Sequence, residues 1–216
     1  QTSSKSKFAK YFMSYLYKTP KLLKWYYPDL IWDYPSEDKS IYLTFDDGPT
    51  KEHTKWILEL LEKYDAQATF FCVGNNVQSC KEEFDEIILR GHSVGNHTFN
   101  HLNGRNHSLL SYVRDVRKCD EVFKSSLFRP PHGRLSKKQS LALTKDFKII
   151  MWDVLSGDFD QNLSGEDCYN AVINNVVNGS IVVFHDSIKA APRLKIALPK
   201  VLDEFTSRGY TFKAIK

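Results

Sequence analysis

Apolar and polar positions alternate along this chain in two rhythms, one of strands and one of helices. The run Ile41-Tyr42-Leu43-Thr44-Phe45 is β-branched and aromatic and stops at Asp46-Asp47-Gly48-Pro49, which predicts a buried strand over 41–46. Trp56, Leu60 and Tyr64 then recur four apart and predict a helix near 52–63. The same alternation predicts a strand at 67–73, helical segments ending near Leu89, a turn at Arg90-Gly91 and a short strand at 93–96. Further on come a helix near 108–124, a strand at Leu127-Phe128, a helix near 136–145 and a strand at 148–153. A helix near 166–177 stops at Asn178-Gly179, a strand covers 180–184, and a helix at 193–207 leads to a last strand at 211–214. Before all of these, residues 8–18 are aromatic and basic and predict a short amphipathic helix, and 34–40 form a polar connector. No internal repeat or low-complexity segment is present.

Strand–helix alternation from end to end implies a parallel sheet with crossover helices, open or closed into a barrel. Polar residues decide between the two. Asp46-Asp47, Asn96-His97, Arg129, Asp153 with Asp158, and His185-Asp186 all fall at or just beyond the C-terminal ends of predicted strands. A barrel gathers those ends on one face, whereas an open sheet spreads them along an edge. The pattern favours a barrel.

Composition adds bounds. The 216 residues suit one sizeable domain beginning near residue 41, and 42% hydrophobic with 26% charged residues is ordinary for a globular chain. The net charge of +4 is uneven: six lysines, Lys5 to Lys24, precede the first acid, Asp29, and the rest holds 24 basic against 26 acidic residues. The body therefore lacks the basic patch of a nucleic-acid binder. The N-terminal segment, 1–40, suits packing on the domain or contact with a membrane surface, and packing is the favoured expectation. Cys72, Cys80, Cys119 and Cys168 show no metal-type spacing; Cys72 reads as a buried free thiol, and a disulfide framework is not expected. The chain opens on Gln1, and no signal peptide is legible in it.

Five clusters carry candidate chemistry. Two adjacent carboxylates at a strand mouth repel each other, so Asp46-Asp47 reads either as a capped turn or as a cation site. His97 and His101 are four apart, which on a helical turn points both rings the same way. With one Asp they make a facial set that leaves water positions open on a metal. Arg129-Pro130-Pro131-His132-Gly133 is a stiff loop that could hold a guanidinium against a carboxylate. The stretch from Trp152 to Asp160 reads mostly as loop. Phe184-His185-Asp186 ends a buried strand in titratable groups, and a His there suits general acid duty.

Taken in order, Thr44-Phe45-Asp46-Asp47-Gly48-Pro49, His97-Thr98-Phe99-Asn100-His101, Arg129-Pro130-Pro131-His132-Gly133, the Trp152–Phe159 cluster and Val183-Phe184-His185 resemble the polysaccharide deacetylase (NodB-homology) family of carbohydrate esterases, over roughly 41–214. The resemblance implies a distorted (β/α) barrel of about seven strands and a mononuclear divalent metal, zinc first, with cobalt, manganese or nickel as the other candidates. It implies Asp47, His97 and His101 as ligands, Asp46 as general base oriented by Arg129, and His185 as general acid tuned by Asp158. His132 by its backbone N–H, with Pro131, Trp152 and Phe159, would form the substrate and oxyanion rim. The expected reaction removes N-acetyl groups from amino sugars of peptidoglycan, chitin-like oligomers or a related polysaccharide. The expected setting is the cell envelope, with the protein acting as a monomer. The alternative is a catalytically weak carbohydrate-binding protein on the same fold, against which the intact ligand set and His185 argue. Three positions depart from the family pattern: Phe159 stands where a Trp is usual, Leu155 where an acid is frequent, and His132 where an aromatic is common.

Overall fold

Seven short parallel strands make the wall on which everything else is hung. The computed structural model describes residues 16–35 and 37–216. β1 (Ser40–Asp46) is central, with β2 (Ala68–Cys72) and β7 (Ile181–His185) on either side. β3 (Ser93–Asn96), β4 (Leu127–Phe128) and β5 (Lys148–Ile149) extend the sheet beyond β2, and β6 (Val154–Leu155) lies beyond β7. β8 (Thr211–Phe212) pairs with the start of β1, and every strand pairing is parallel. This is the expected distorted barrel of about seven strands.

The first two strands are buried on both faces, as parallel sheets covered by helices must be. Phe45 stacks between Phe70 and Phe184, with ring centroids 5.0 and 6.2 Å away. Against them α2 (His53–Glu62) packs Ile57, Leu58 and Leu61, and α8 (Ala191–Ser207) packs Leu194, Leu198, Val201, Leu202 and Phe205. α3 (Gly74–Ser79), α4 (Lys81–Leu89), α5 (Leu109–Val122), α6 (Lys137–Leu143) and α7 (Gly165–Ile173) complete the outer layer. The last three start on side-chain caps: Ser108 opens α5, and Ser136–Gln139 and Ser164–Asp167 form capping boxes at α6 and α7. α7 stops at Ile173, four residues before the expected end, and the last strand ends at Phe212 rather than 214. No helix among the described residues is long and apolar enough to cross a membrane.

The seam between β5 and β6 is closed from an unexpected direction. The expected strand 148–153 ends at the bridge residue Ile150, and a new strand, β6, forms inside the stretch read as loop. The chain before β1 fills the gap. Ile31 N–H donates to Ile149 O at 2.9 Å and Ile31 O accepts from Met151 N–H at 2.7 Å. Lys18 bridges Val154, and Asp33 bridges Ser180. Most of the helix expected over 8–18 lies outside the described residues. Its described end, 16–18, is not helical, because Tyr17 O accepts from Leu155 N–H and draws the backbone alongside the sheet. A helix does follow, α1 (Lys21–Tyr26), and none of its residues is buried.

Asp153 ties this segment down, which corrects its expected place beside the strand-end groups. It immediately precedes β6, so it sits at the N-terminal edge of β6 and β7. There its buried carboxylate accepts from Lys18 Nζ, Lys24 Nζ and Ser180 Oγ, each at 2.5 Å. Burial alone would raise its pKa, but these three partners hold it below the ordinary carboxylate value. The stabilisation is therefore complete above the unfolded-state pKa of about 4 and disappears as pH falls through the lower folded value. Asp153→Ala should cost about 2–3 kcal/mol in chemical denaturation at pH 7, since one partner of a buried pair is removed while the lysines keep some solvent. The gap between wild type and Asp153→Asn should shrink as pH is lowered below about 4.

Candidate active site

The C-terminal mouth of the barrel opens into a cavity of about 500 Å³, with Asp46, Asp47, His97, His101, His132, Trp152, Phe159 and His185 in its wall. Arg129 and Asp158 lie beneath it, fully buried, and Pro131 is buried in the adjoining turn. Strand register brings the acid–base candidates together: Asp46 and His185 are cross-strand partners at the ends of β1 and β7.

Asp46 is fixed from below. Arg129 Nη1 donates to Asp46 Oδ1 and to Thr44 Oγ1, both at 2.7 Å, while Nη2 and Nε donate to Met151 O and Ile150 O at 2.8 and 3.2 Å. The guanidinium also lies 4.0 Å from the centroid of the Phe71 ring. Gly95 makes room for that ring, since a Cβ there would come within 2.4 Å of it. Burial lowers the Arg129 pKa, and the Asp46 charge opposes the shift.

Asp47 turns away from its neighbour because its backbone adopts φ 78°, with its carbonyl held by Asn76 Nδ2 at 2.7 Å. Its Oδ1 lies 3.0 Å from His101 Nε2 and 3.7 Å from His97 Nε2. One ligand atom from each of the three residues falls within 4.8 Å of the others. Arg129 O accepts from His97 at Nδ1, 2.8 Å away, which leaves Nε2 aimed at Asp47. Burial, aided by His101, pushes the His97 pKa down to about 4 against the pull of Asp46 and Asp47, so the imidazole is neutral. Burial also works against the Asp47 carboxylate. The hydrogen bond from His101 and the charge of His185 outweigh it and hold Asp47 well below the carboxylate range. An ionised carboxylate and two imidazoles converging on one point fit a divalent transition metal.

The two histidines do not ride on a helix, contrary to expectation. Residues 97–101 form an irregular bend in which Thr98 and His101 take φ 63° and 56°. Asp115 on α5 imposes that bend: its Oδ2 accepts from the N–H groups of Phe99 and Asn100 at 3.0 and 2.9 Å, and its Oδ1 from Asn100 Nδ2 at 2.5 Å. Asn96 Oδ1 accepts from Thr98 N–H, and Thr98 Oγ1 from Leu102 N–H.

His185 is oriented by Asp158, which accepts from the backbone N–H at 2.8 Å and from the ring at Nδ1 at 2.7 Å. Burial disfavours the imidazolium, yet Asp158, with Asp47 and Asp46 behind it, raises the pKa to about 9. Phe159 packs edge-on against the ring, 5.2 Å between centroids. His132, at φ 59°, stands edge-on to His101 at 4.8 Å. The hydrogen bonds of its turn come from Gly133 and Arg134 N–H, so the His132 N–H is not spent in them. Gly133, at φ 62°, lets Trp152 close against this turn, where a Cβ would meet the indole at 2.5 Å.

Sequence reasoning missed Asp115, whose signal is only a polar residue on the inner face of an amphipathic helix. It also missed Arg134, Ser187 and Lys189, which line the cavity from loops. Asp186 was grouped with His185 but points elsewhere. It accepts from Thr50 Oγ1 at 2.8 Å and from Thr54 Oγ1, its N–H donates to Asp46 O, and burial raises its pKa to about 7.

A wall of parallel strands carrying an Asp-His-His set beside an arginine-held carboxylate and an aspartate-held imidazole has the parts of a metal-assisted hydrolytic centre. The polysaccharide deacetylase family model matches residues 33–150, more than half of the chain, and the chain belongs to that family. A peptidoglycan-N-acetylglucosamine deacetylase of Bacillus cereus is 35% identical over 191 residues, covering 85% of this chain and 90% of the relative. The peptidoglycan-N-acetylmuramic acid deacetylase PdaC of Bacillus subtilis is 28% identical over 178 residues, 80% of this chain and 37% of that protein. The crystal structure of the Bc1960 peptidoglycan N-acetylglucosamine deacetylase superposes with a TM-score of 0.83 at 27% identity, covering 91% of this chain and 95% of that one.

Asp115→Ala should weaken divalent metal binding about 10–100-fold in a chelator-competition titration, because the bend that aims both imidazoles loses its anchor. Unchanged affinity in a folded variant would remove Asp115 from this role. Arg129→Met should cost about 3–5 kcal/mol in denaturation, since it leaves Asp46 buried without a partner.

Proposed function

We propose that this protein is a metal-dependent deacetylase of N-acetylated amino sugars in an envelope polysaccharide, of the peptidoglycan kind, with chitin-like oligomers as a simpler substrate. The observation that carries the reading is the Asp46–His185 register pair beside the convergent Asp47, His97 and His101. Family membership and the names of the relatives support it. In this reading Asp47, His97 and His101 hold a divalent cation, zinc ahead of cobalt, manganese or nickel, which supplies Lewis acidity toward the acetamido carbonyl and acidifies water.

The chain's own groups do the rest. Arg129 occupies Asp46 Oδ1 and fixes the carboxylate, so Oδ2 is the oxygen that takes the proton of the attacking water. His132 N–H donates to the carbonyl oxygen as it gains charge, and Trp152, Phe159 and Pro131 shape the apolar wall around the sugar. Asp158 holds His185 at Nδ1, so Nε2 delivers a proton to the departing amine as the C–N bond breaks. A pKa raised to about 9 keeps that proton in place at neutral pH. Base and acid are tuned apart by different partners.

The catalytic unit spans 41–216, with 1–40 as an N-terminal segment. One chain supplies every group named, which supports action as a monomer. Exposed Leu22, Trp25 and Tyr26 on α1, beside Lys21, support contact with a membrane surface in the envelope. The second reading, a weakly catalytic carbohydrate-binding protein, draws on a structural neighbour. A mutant of BA3943, a pseudoenzyme of the same family, with restored enzymatic activity superposes at TM-score 0.73 and 26% identity, covering 86% of this chain and 69% of that one.

Metal-loaded protein should release acetate from N-acetylglucosamine oligomers or peptidoglycan, and Asp46→Asn should lower kcat about 10²–10⁴-fold while metal stays bound. Saturable sugar binding without acetate release would favour the second reading. Activity should fall as pH rises and His185 loses its proton. Asp158→Asn removes the charge that outweighs burial, so the alkaline limb should move about one to two units toward acid. An unmoved limb would break the link between Asp158 and His185.

A further inference from the structure

Charge is compensated almost everywhere around the cavity. Asp46 is matched by Arg129, His185 by Asp158, and Asp47 faces two imidazoles. The carboxylates among the lining residues are Asp46 and Asp47 alone, both already engaged below the mouth. Two cations in the same wall have no such match. Arg134 and Lys189 are exposed, and neither side chain makes an ion pair or hydrogen bond among the described residues. They come from different loops, Arg134 from just beyond the Pro131–Gly133 turn and Lys189 from the stretch between β7 and α8. Both chain segments are fastened. The Arg134 N–H donates to Pro131 O at 3.1 Å, and Lys189 O accepts from Arg193, whose Nε is held by Asp158 O at 2.6 Å. Lys189 is thus anchored through the residue that orients His185.

A neutral sugar chain needs no such pair, because hydroxyl hydrogen bonding and the apolar wall of Trp152, Leu155 and Phe159 suffice to seat it. Two unmatched cations on one concave wall fit an anion instead: the guanidinium fork binds a carboxylate in two bonds and the ammonium adds a point charge. We propose that Arg134 and Lys189 form an anion-recognition pair at the cavity mouth, and that the glycan they select carries a carboxylate close to the acetamido group that reacts. The inference rests on the deacetylase reading and narrows its substrate class from N-acetylated sugars to acidic ones. The carboxylate can belong to an ether substituent on the sugar or to a peptide attached to it, and the chemistry of recognition is the same.

The test compares kcat/KM for acetate release from four substrates by metal-loaded protein. These are a neutral N-acetylglucosamine oligomer, a peptide-free glycan alternating N-acetylglucosamine with N-acetylmuramic acid, that glycan with its carboxyls methyl-esterified, and the peptide-bearing glycan. The free acid should exceed its ester about tenfold, through KM rather than kcat, and the preference should weaken as salt is raised. In Arg134→Gln/Lys189→Gln the ratio of acid to ester should collapse toward one. If only the peptide-bearing glycan is preferred, the carboxylate is the peptide's and the pair still reads an anion. Equal kcat/KM in wild type for the free acid, its ester and the peptide-bearing glycan would overturn the proposal, as would a preference that survives in the double variant. Should no substrate release acetate, the deacetylase reading fails separately. Calorimetric affinities for acid and ester, in wild type and double variant, then decide the anion site on the same criterion.

Discussion

The buried contact between Arg129 and Asp46 is the constraint from which the rest of the mouth follows. A guanidinium with no solvent exposure costs several kcal/mol to desolvate, and it survives in a barrel only where its donors are all but spoken for. Here four of its hydrogen bonds go to one carboxylate, one hydroxyl and two carbonyls, with the Phe71 ring against its face. Those partners come from β1, β2 and the chain after β5, so one side chain sets the spacing of three parts of the wall. Its carbonyl adds a fourth tie by turning His97. Asp46 surrenders one oxygen to this arrangement and keeps the other. Asp47, one residue later, cannot share the same hole and must leave it by a backbone turn.

That turn belongs to a pattern. Of the five non-glycine residues described with positive φ, Asp47, His101 and His132 line the cavity and Thr98 sits between the two histidines of the bend. Each such conformation costs on the order of 1–3 kcal/mol, and it persists only where surrounding contacts over-determine it. The contacts are on hand: Asn76 at Asp47, and Asp115 with Asn96 around Thr98 and His101. Strain and its compensation sit within a few ångströms of each other. The ligand geometry is therefore fixed by hydrogen bonds to the main chain more than by packing.

The strand ends were legible because they obey short-range rules: an apolar run stopped by titratable residues marks the same barrel face each time. Hence the sequence alone gathers Asp46, Asp47, His97, Arg129 and His185 on one face. What resisted reading depended on long-range partners. The His97–His101 spacing suggested a helical turn, yet a carboxylate some fifteen residues away holds a bend instead. Asp153 looked like one more strand-end acid, and only Lys18 and Lys24, more than a hundred residues distant, show that it faces the other edge. The chain before β1 carries too few alternating positions to announce that it completes the wall between β5 and β6. Arg134 and Lys189 carried no signal at all, because an isolated cation in a loop reads as solvated surface.

Function divides along the same line. The candidate proton carriers and metal ligands sit on strand ends or are tied directly to them, where register and buried hydrogen bonds leave little freedom. The positions that depart from the family pattern, Leu155, Phe159 and His132, line the surrounding wall together with the unmatched Arg134 and Lys189. Parallel barrels allow this separation because loops at the C-terminal face can change without disturbing the strands beneath. On the proposed reading, a loop substitution there alters which sugar is seated, whereas a change under the mouth alters whether Asp46 remains oriented for its role as base. The Arg129–Asp46 pair thus acts as the floor on which recognition can vary while the chemistry stays in place.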